Sequence, residues 1–218
     1  MMLTMEDTFK ILKKYNLDLA PYTVVENLQS ALKSANKIGY PVVIKSVNKK
    51  VSHKTDYGMV RVNLMDKEDL EEAWRIILKK HKTHKIPFEK MMIQKQMKGY
   101  ELIIGGKKDS QFGQMIIFGL GGIYVEVFKD ISARICPITE NDARAMIREI
   151  KAHPIIDGAR GSKPVNERKL IDALMKTSNL LVKEQPLELD LNPLFADENG
   201  YALVDARIVY PKGDRFEK

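Results

Sequence analysis

The chain has 218 residues, of which 44% are hydrophobic and 30% charged, so it can bury a proper core and is not an intrinsically disordered protein. The net charge of +7 is compatible with nucleic acid, a membrane surface or a phosphorylated small molecule, and by itself chooses none of them. No stretch approaches the roughly 20 apolar residues that span a bilayer, and the first ten residues lack a signal-peptide pattern. The single cysteine, Cys136, excludes an internal disulfide. We therefore expect a cytoplasmic protein without membrane contact.

Helical periodicity and strand-like runs alternate in the first part of the chain. Thr4 and Asp66 are expected to cap two of its helices, because short polar side chains accept hydrogen bonds from the first turn. The predicted elements are a helix over residues 4–16, an extended segment over 17–25, a helix over 27–38, a strand over 41–47, a polar loop over 48–55, a strand over 58–64, a helix over 67–82 and a strand over 91–97.

The second part is richer in strands. Its predicted elements are strands over residues 100–107, 114–118, 123–128 and 131–138, helices over 140–151 and 167–184, and strands over 186–195 and 201–209. Asn199-Gly200 between two strand-like runs predicts a hairpin. The order of elements predicts an α/β (α+β) protein of two lobes, residues 1–97 and 98–218.

Two basic residues follow a buried-looking strand. Lys45 ends the run Pro-Val-Val-Ile-Lys, where an ammonium group can neutralise phosphate as a point charge. His53 lies in the polar loop that comes next, and its neutral imidazole would be a competent nucleophile near pH 7. Most strand-end lysines and loop histidines are ordinary surface residues, so neither residue assigns a function alone.

A glycine cluster, Gly119-Leu120-Gly121-Gly122, lies between strand-like runs. Clustered glycines let the backbone approach a ligand closely. The cluster is not a P-loop, because no Lys-Ser/Thr pair follows it, and it is not a dinucleotide fingerprint, because a strand-like run follows instead of a helix. Taken alone, the cluster is better explained as a tight hairpin between strands.

Acidic and amide side chains recur near the C-terminus. Alternation places Glu188, Asp190 and Asn192 on one face of a strand, and the hairpin brings Asp205 back alongside them. Carboxylate and amide oxygens are the hard ligands that Mg²⁺ with ATP requires. This cluster is the feature for which a functional explanation is strongest.

Five segments together resemble one family, the ATP-grasp subunit of ADP-forming acetyl-CoA synthetases, which is related to the β subunit of succinyl-CoA synthetase. The segments are Gly-Tyr-Pro-Val-Val-Ile-Lys (39–45), His-Lys-Thr-Asp-Tyr-Gly-Met-Val (53–60), Gly-Leu-Gly-Gly-Ile-Tyr-Val-Glu-Val (119–127), Asp-Ile-Ser-Ala-Arg-Ile-Cys-Pro-Ile (130–138) and Glu-Leu-Asp-Leu-Asn-Pro-Leu (188–194). Each segment is weak evidence alone, but their common order and spacing are specific, and the resemblance covers residues 4–210. It implies an ATP-grasp fold, in which two lobes with mixed sheets enclose a nucleotide cleft.

The resemblance also implies a reaction and a partner. The family interconverts acyl-CoA, ADP and phosphate with carboxylic acid, CoA and ATP, using Mg²⁺ and a phosphohistidine. A separate α subunit, or a fused domain, binds CoA, and the chain is similar to a detached β subunit of an α2β2 assembly. Nothing in the resemblance implies contact with a membrane or with specific nucleic acid.

Roles carry over to matching positions as implications of the resemblance. His53 matches a phosphohistidine, and Arg134 matches a basic residue that faces the transferred phosphate. The residues implied to bind nucleotide are Lys45, Gln94, Met97, Glu101, Gly121 and Gly122. Asn192 and Asp205 match the Mg²⁺ ligands. One departure is Met59, which stands where relatives have glycine and is expected to change how closely the backbone approaches phosphate.

Alternative functions remain open from sequence. An ATP-grasp carboxylate–amine ligase would use similar nucleotide-binding residues, but it has no need of a phosphohistidine such as His53. A non-catalytic nucleotide-binding subunit is a second alternative, against which the presence of His53, Asn192 and Asp205 argues. A third is a basic nucleic-acid-associated module, which would use the +7 charge. Aromatic residues, at 7% of the chain, are too few and too scattered for the interleaved pattern of single-strand binders.

Overall fold

A computed structural model describes residues 1–48, 57–122 and 130–211. The chain divides into two compact units. The larger unit joins Met1–Leu19 to Lys98–Lys218, and the smaller unit is Ala20–Met97. In this division residues 1–19, which contain the first helix, group with the C-terminal part of the chain. None of the helices in the described residues is both long and apolar enough to cross a bilayer.

The smaller unit is a four-stranded sheet with two helices. Its elements in chain order are β1 (Tyr22–Val25), α2 (Leu28–Ile38), β2 (Val42–Val47), β3 (Val60–Leu64), α3 (Lys67–Thr83) and β4 (Lys90–Lys95), after α1 (Met5–Lys14) of the larger unit. The strand order is β1-β4-β2-β3, and the described pairings are antiparallel. The predicted caps are confirmed, since the side chains of Thr4 and Asp66 accept hydrogen bonds from the amides of Asp7 and Asp69.

The larger unit is built on a six-stranded sheet. Its further elements are β5 (Tyr100–Asp109), β6 (Gly113–Leu120), β7 (Ile131–Ile135), α4 (Glu140–Glu149), α5 (His153–Ile156), a 3-10 turn (Ala159–Gly161), α6 (Glu167–Glu184), β8 (Glu188–Asp197), β9 (Gly200–Leu203) and β10 (Arg207–Val209). The strand order is β10-β8-β5-β6-β7, with β9 paired to β8. The predicted α/β architecture is confirmed, but the pairings of the named strands are antiparallel where mixed sheets were expected.

One face of this six-stranded sheet is covered by helices. Gly106 lies beneath α6, where an added Cβ would collide with Leu181. Gly106 pairs with Ile116 on β6 and with Leu189 on β8, and residues paired across antiparallel strands point to the same face. We call this side the helix-covered face. Asp190, next to Leu189, points to the opposite face because side chains alternate along a strand.

The strand predicted over residues 201–209 is two strands in the structure. β9 forms the predicted hairpin with β8, and the carboxylate of Asp197 accepts hydrogen bonds from the amides of Asn199 and Gly200 in its turn. The chain leaves the ladder at residues 204–206 and rejoins β8 as β10. The interruption lies opposite Pro193, which has no N–H to donate to a ladder.

Met59 belongs to the core of the smaller unit. Its side chain is fully buried in the cluster that contains Ile44, Trp74 and Ile93. Its backbone carbonyl accepts a hydrogen bond from the amide of Ser46, at 3.0 Å. The residue that departs from the family pattern therefore fills core volume between the sheet and its helices.

A buried polar network ties β2 to the end of α3. The Oγ of Ser46 lies 2.9 Å from Nε2 of His81, and Nδ1 of His81 lies 3.1 Å from the carbonyl oxygen of Ile86. A carbonyl can only accept, so Nδ1 carries the proton and Nε2 accepts from the serine hydroxyl. Both side chains are almost completely buried, so the Oγ of Ser46 and the Nε2 of His81 depend on each other for a hydrogen-bond partner.

We expect Ser46→Ala and His81→Leu each to lower the free energy of unfolding by about 1–3 kcal/mol, because either change leaves a buried polar atom without a partner. The double variant should lose less than the sum of the two, since it removes both members of the pair. Denaturant unfolding measures all three. Thr83→Ala, which removes an exposed hydroxyl bonded to the carbonyl of Lys79, is the control. Strictly additive losses would show that the pair is not coupled.

Candidate functional site

The glycine cluster at the end of β6 joins β5 to β8. The amide of Gly121 donates to the carbonyl of Glu101, at 2.8 Å, and the amide of Gly122 donates to Oδ1 of Asn192, at 3.1 Å. An added Cβ on Gly121 would meet the backbone of Leu102, and one on Gly122 would meet the carboxylate of Glu101. Backbone atoms thus exclude a side chain at position 121, and the φ of +61° at position 122 favours glycine. Four predicted site residues that are distant in sequence are thus brought together.

The pairing register places Asp205 across from Asn192. The pairs Asp190↔Arg207 and Leu194↔Leu203 leave three residues between them on each strand, and the middle residues are Asn192 and Asp205. The Oδ1 of Asp205 accepts from the amide of Ala206, at 2.8 Å. These contacts orient an amide oxygen and a carboxylate on facing stretches of chain.

Negative charge accumulates beside these two residues. Burial raises the pKa of the Asp190 carboxyl above its ordinary value; nearby Arg207 lowers the pKa, and Asp205 and Glu188 raise it further. Arg207 lies 3.6 Å from the carboxylate of Glu188. Among the described residues, the carboxylates of Asp190 and Glu188 both interact with Arg207, and Asp205 adds negative charge near Asp190. Asp190 is not among the predicted metal ligands, although alternation in Glu-Leu-Asp-Leu-Asn puts it on the same strand face as Asn192.

The residues present fit Mg²⁺ bound with a substrate. Mg²⁺ in nucleotide enzymes takes one or two protein carboxylates and fills its other positions with water and phosphate oxygens. Within residues 1–48, 57–122 and 130–211, no three His, Cys, Asp or Glu side chains form a metal-binding group. Asn192 and Asp205 thus offer a partial ligand set, which suits a metal that arrives with its nucleotide.

The smaller unit places Lys45 and Gln94 on one face of its sheet. Lys45 pairs with Met92, and Val43 pairs with Gln94, so all four side chains lie on the side opposite the helix-packed core. Lys45 and Gln94 are 5% and 0% exposed. Met97 is half-buried and follows β4. The structure thus places Lys45 and Gln94 on the same face of the sheet, and their part in nucleotide binding stays a prediction.

Arg134 lies on the helix-covered face of the larger sheet. It pairs with Ile116, and its guanidinium forms a two-point ion pair with Glu149 on α4, with Nη1 2.9 Å from Oε2. Hydrogen bonding to Glu149 raises the pKa of Arg134. Asp190 points to the other face. That Arg134 faces the transferred phosphate therefore stays a prediction, and it requires the guanidinium to leave Glu149.

From this geometry we expect Arg134→Gln and Glu149→Gln to have the same effect on stability. Each should lower the free energy of unfolding by no more than about 1 kcal/mol, as is usual for a partly exposed ion pair, and Glu149→Gln, which leaves the arginine in place, should keep turnover within about threefold. Thermal unfolding and steady-state rates of both variants measure this. Loss of turnover in Arg134→Gln alone would instead establish contact with the phosphate.

His53 lies in residues 49–56, outside the described residues. The same is true of the strand predicted over 123–128. Tyr57, four residues after His53, packs its ring edge-on against His84, with centroids 5.1 Å apart. The role of His53 stays a prediction that experiment must test.

Comparison with known proteins gives a consistent family. A family model described as an ATP-grasp domain matches residues 1–210. The β subunit of ADP-forming acetate–CoA ligase I from Pyrococcus furiosus is 42% identical over 204 residues, which are 92% of this chain and 88% of that subunit. ADP-forming acetate–CoA ligase I from Archaeoglobus fulgidus is 45% identical over 203 residues, which are 91% of this chain, and the chain spans only 30% of that protein's length.

Solved structures that resemble this chain point to the same family. Two structures of an acetyl-coenzyme A synthetase from Ca. Korarchaeum cryptofilum, with coenzyme A and either Ca-AMPCP or Mg-AMPPCP, have TM-scores of 0.91 and 0.82 and are 36% and 37% identical. They cover 96% of this chain, and 93% and 92% of their own. In the second, a phosphohistidine segment points towards the nucleotide-binding site. The chain therefore belongs to the ATP-grasp domain family, and within it to the group that includes the β subunit of ADP-forming acetate–CoA ligase.

Proposed function

We propose that this chain is the nucleotide-binding subunit of an ADP-forming acyl-CoA synthetase, of which acetate is the representative acid. The enzyme interconverts acyl-CoA, ADP and phosphate with carboxylic acid, CoA and ATP. The observation that carries the proposal is the convergence of Glu101, Gly122, Asn192 and Asp205 in the larger unit. This arrangement offers oxygen ligands for a metal beside the glycine cluster, whose backbone packs closely against Glu101 and Leu102.

The proposed roles follow from the chemistry of phosphoryl transfer, which needs positioning and charge neutralisation more than covalent machinery. Lys45 supplies a cation to the nucleotide phosphates, residues 94–97 contact the base, and Glu101 contacts the ribose. The +7 charge of the chain lies entirely in residues 20–97, since the remaining residues contain equal numbers of acidic and basic side chains. A basic smaller unit that carries Lys45 suits a polyphosphate ligand.

Asn192 and Asp205 would hold Mg²⁺, which neutralises charge on the phosphates when it is bound. Gly122 fixes the amide of Asn192 through its N–H, and the amide of Ala206 fixes the carboxylate of Asp205. His53 is the proposed phosphate acceptor. A histidine that carries the phosphoryl group splits one long transfer into two short ones.

We propose that a CoA-binding α subunit completes the enzyme, as an α2β2 assembly in the cytoplasm. The name of the Pyrococcus relative, a β subunit, and the CoA bound in the Korarchaeum structures support a partner of this kind. The acid would then be selected largely outside this chain.

Reconstitution tests the function. The chain is mixed with a CoA-binding partner, acetyl-CoA, ADP, phosphate and Mg²⁺, and ATP is measured. We expect ATP formation only when both subunits and Mg²⁺ are present. An assembled complex that binds CoA, acetyl-CoA and Mg-ADP but forms no ATP would contradict the proposal, and activity with an amine in place of CoA would indicate a carboxylate–amine ligase.

A further inference from the structure

The connection between α3 and β4 is fixed to the core of the smaller unit. We call residues 84–87 the anchor connection. The amide of Ile86 donates to the carbonyl oxygen of His81, at 3.0 Å, and the carbonyl oxygen of Ile86 lies 3.1 Å from Nδ1 of the same histidine. The ring of Phe88 packs edge-on against the imidazole of His81, with the centroids 5.7 Å apart. The anchor connection is therefore held by the buried end of α3.

The residues on either side of residues 49–56 both contact the anchor connection. Asn48 donates from Nδ2 to the carbonyl oxygen of Pro87, at 2.7 Å. Tyr57 packs its ring edge-on against His84, with the centroids 5.1 Å apart and the ring planes at 87°. The two ends of one segment are thus attached to the same four residues of chain.

These two contacts contribute differently to the fold. Asn48 is 8% exposed, and its hydrogen bond is of the kind that buried polar groups require. Tyr57 is 39% exposed and His84 is exposed as well, so their rings remove little apolar surface from water and stabilise the core little. The main effect of the ring pair is to fix where the chain runs at residue 57.

Chain length limits the reach of His53 from this point. His53 is four residues before Tyr57. A chain spans at most about 3.5 Å per residue, so the Cα of His53 lies within about 14 Å of the Cα of Tyr57. The next described hydrogen bond on that side runs from the amide of Ser46 to the carbonyl of Met59. Without the ring pair the limit would be counted from Met59 and would grow to about 21 Å.

We propose that Tyr57 and His84 are positioning residues for the phosphoryl acceptor His53. In the proposed transfer an N–P bond to His53 forms as the bond to the phosphate donor breaks, and the N–P bond breaks again as ADP becomes ATP. A nucleophile that is held near its reaction partners reacts faster, because less freedom is lost on the way to the transition state. The two rings act through the path of the chain and not by contact with the reacting atoms. This inference rests on the proposed function, because it requires phosphate transfer to His53.

The test measures how fast labelled phosphate reaches this chain. The full chain is assembled with the CoA-binding partner, acetyl-CoA, labelled phosphate and Mg²⁺, without ADP, and acid-labile, base-stable label is followed by rapid quench. Tyr57→Ala and His84→Ala should each slow labelling about 10- to 100-fold and leave the affinity for Mg-ADP within about twofold. The double variant should be about as slow as either single variant, because the two rings form one contact.

Two further variants separate positioning from folding. Tyr57→Phe keeps the ring and should restore the labelling rate. Phe112→Ala is the matched control, since Phe112 is another exposed ring, at a turn of the larger unit, and this variant should label at the rate of the unaltered chain. All of these variants should melt within about 3 °C of the unaltered chain, because changes to exposed side chains have small effects on stability.

The outcomes distinguish this inference from the proposed function. Normal labelling rates in both Tyr57→Ala and His84→Ala overturn the inference and leave the proposed function standing. Strictly additive losses, a loss of Mg-ADP affinity equal to the loss of rate, or a larger fall in melting temperature would show that the two rings support the fold, and would overturn the inference too. An unaltered chain that takes no label, in an assembled complex that binds CoA and Mg-ADP, would overturn the phosphate transfer to His53 itself.

Discussion

Replacing His53 with alanine is expected to abolish acyl-CoA turnover in the assembled enzyme, by at least about 10³-fold, and to leave Mg-ADP binding within about twofold. In the proposed mechanism an imidazole nitrogen of His53 accepts the phosphoryl group, and alanine has no nucleophilic atom to take its place. Nucleotide binding is assigned to other residues, Lys45 and Glu101 among them. A large loss of turnover with intact binding is therefore the signature of a phosphohistidine.

A labelling experiment tests directly whether His53 accepts phosphate. The partner subunit, acetyl-CoA, labelled phosphate and Mg²⁺ are mixed without ADP, and acid-labile, base-stable label is sought on this chain. We expect label that ADP discharges and that the His53→Ala variant lacks. His153→Ala, at the start of a short helix in the larger unit, is the control and should be labelled normally. Label that persists in His53→Ala would assign the acceptor to another residue.

Asp205→Ala is expected to produce the second largest loss. It removes the carboxylate of the proposed metal pair and leaves Asn192 as the remaining ligand of that pair. Because a bound divalent ion contributes several kcal/mol of charge stabilisation in phosphoryl transfer, we expect turnover to fall about 10²- to 10³-fold. The Mg²⁺ concentration that gives half-maximal rate should rise, and a Mg²⁺ titration of the initial rate measures both quantities.

Glu198→Ala is the matched control for Asp205. Glu198 lies in the same hairpin, and its carboxylate is 2.8 Å from the ammonium of Lys163 at the surface. This variant should keep both the rate and its dependence on Mg²⁺. Equal losses in the two variants would show that the hairpin as a whole, and not the carboxylate of Asp205, supports the rate.

Most of the secondary structure was predictable because its causes are local. Thr4 and Asp66 begin helices by accepting hydrogen bonds from amides three residues later, and Asn199-Gly200 turns a hairpin within four residues. The strand over 201–209 was predicted as continuous, since the interruption depends on Pro193 across the sheet. Because Pro193 lies on another strand, the residue pattern of 201–209 itself does not show the interruption.

The candidate site was predictable in part. Asn192 and Asp205 follow from alternation and a hairpin, and the pairing register places them opposite each other. The charge balance at Asp190 could not be predicted, because it depends on burial and on Arg207 from another strand. The motif singles out Arg134, but it contains no information on the sheet face where the side chain lies. Nor does it predict the ion pair between Arg134 and Glu149.

By itself the sequence determined the family, the order of the helices and strands, and the set of residues suited to nucleotide and metal. The tertiary structure decided that Met59 is a core residue, that Ser46 and His81 satisfy each other, and that Tyr57 packs against His84. The physical reason is the distance in sequence between the residues that interact. Periodicity, caps and turns depend on residues within about four positions, whereas burial, sheet face and hydrogen-bond satisfaction depend on side chains that only folding brings into contact.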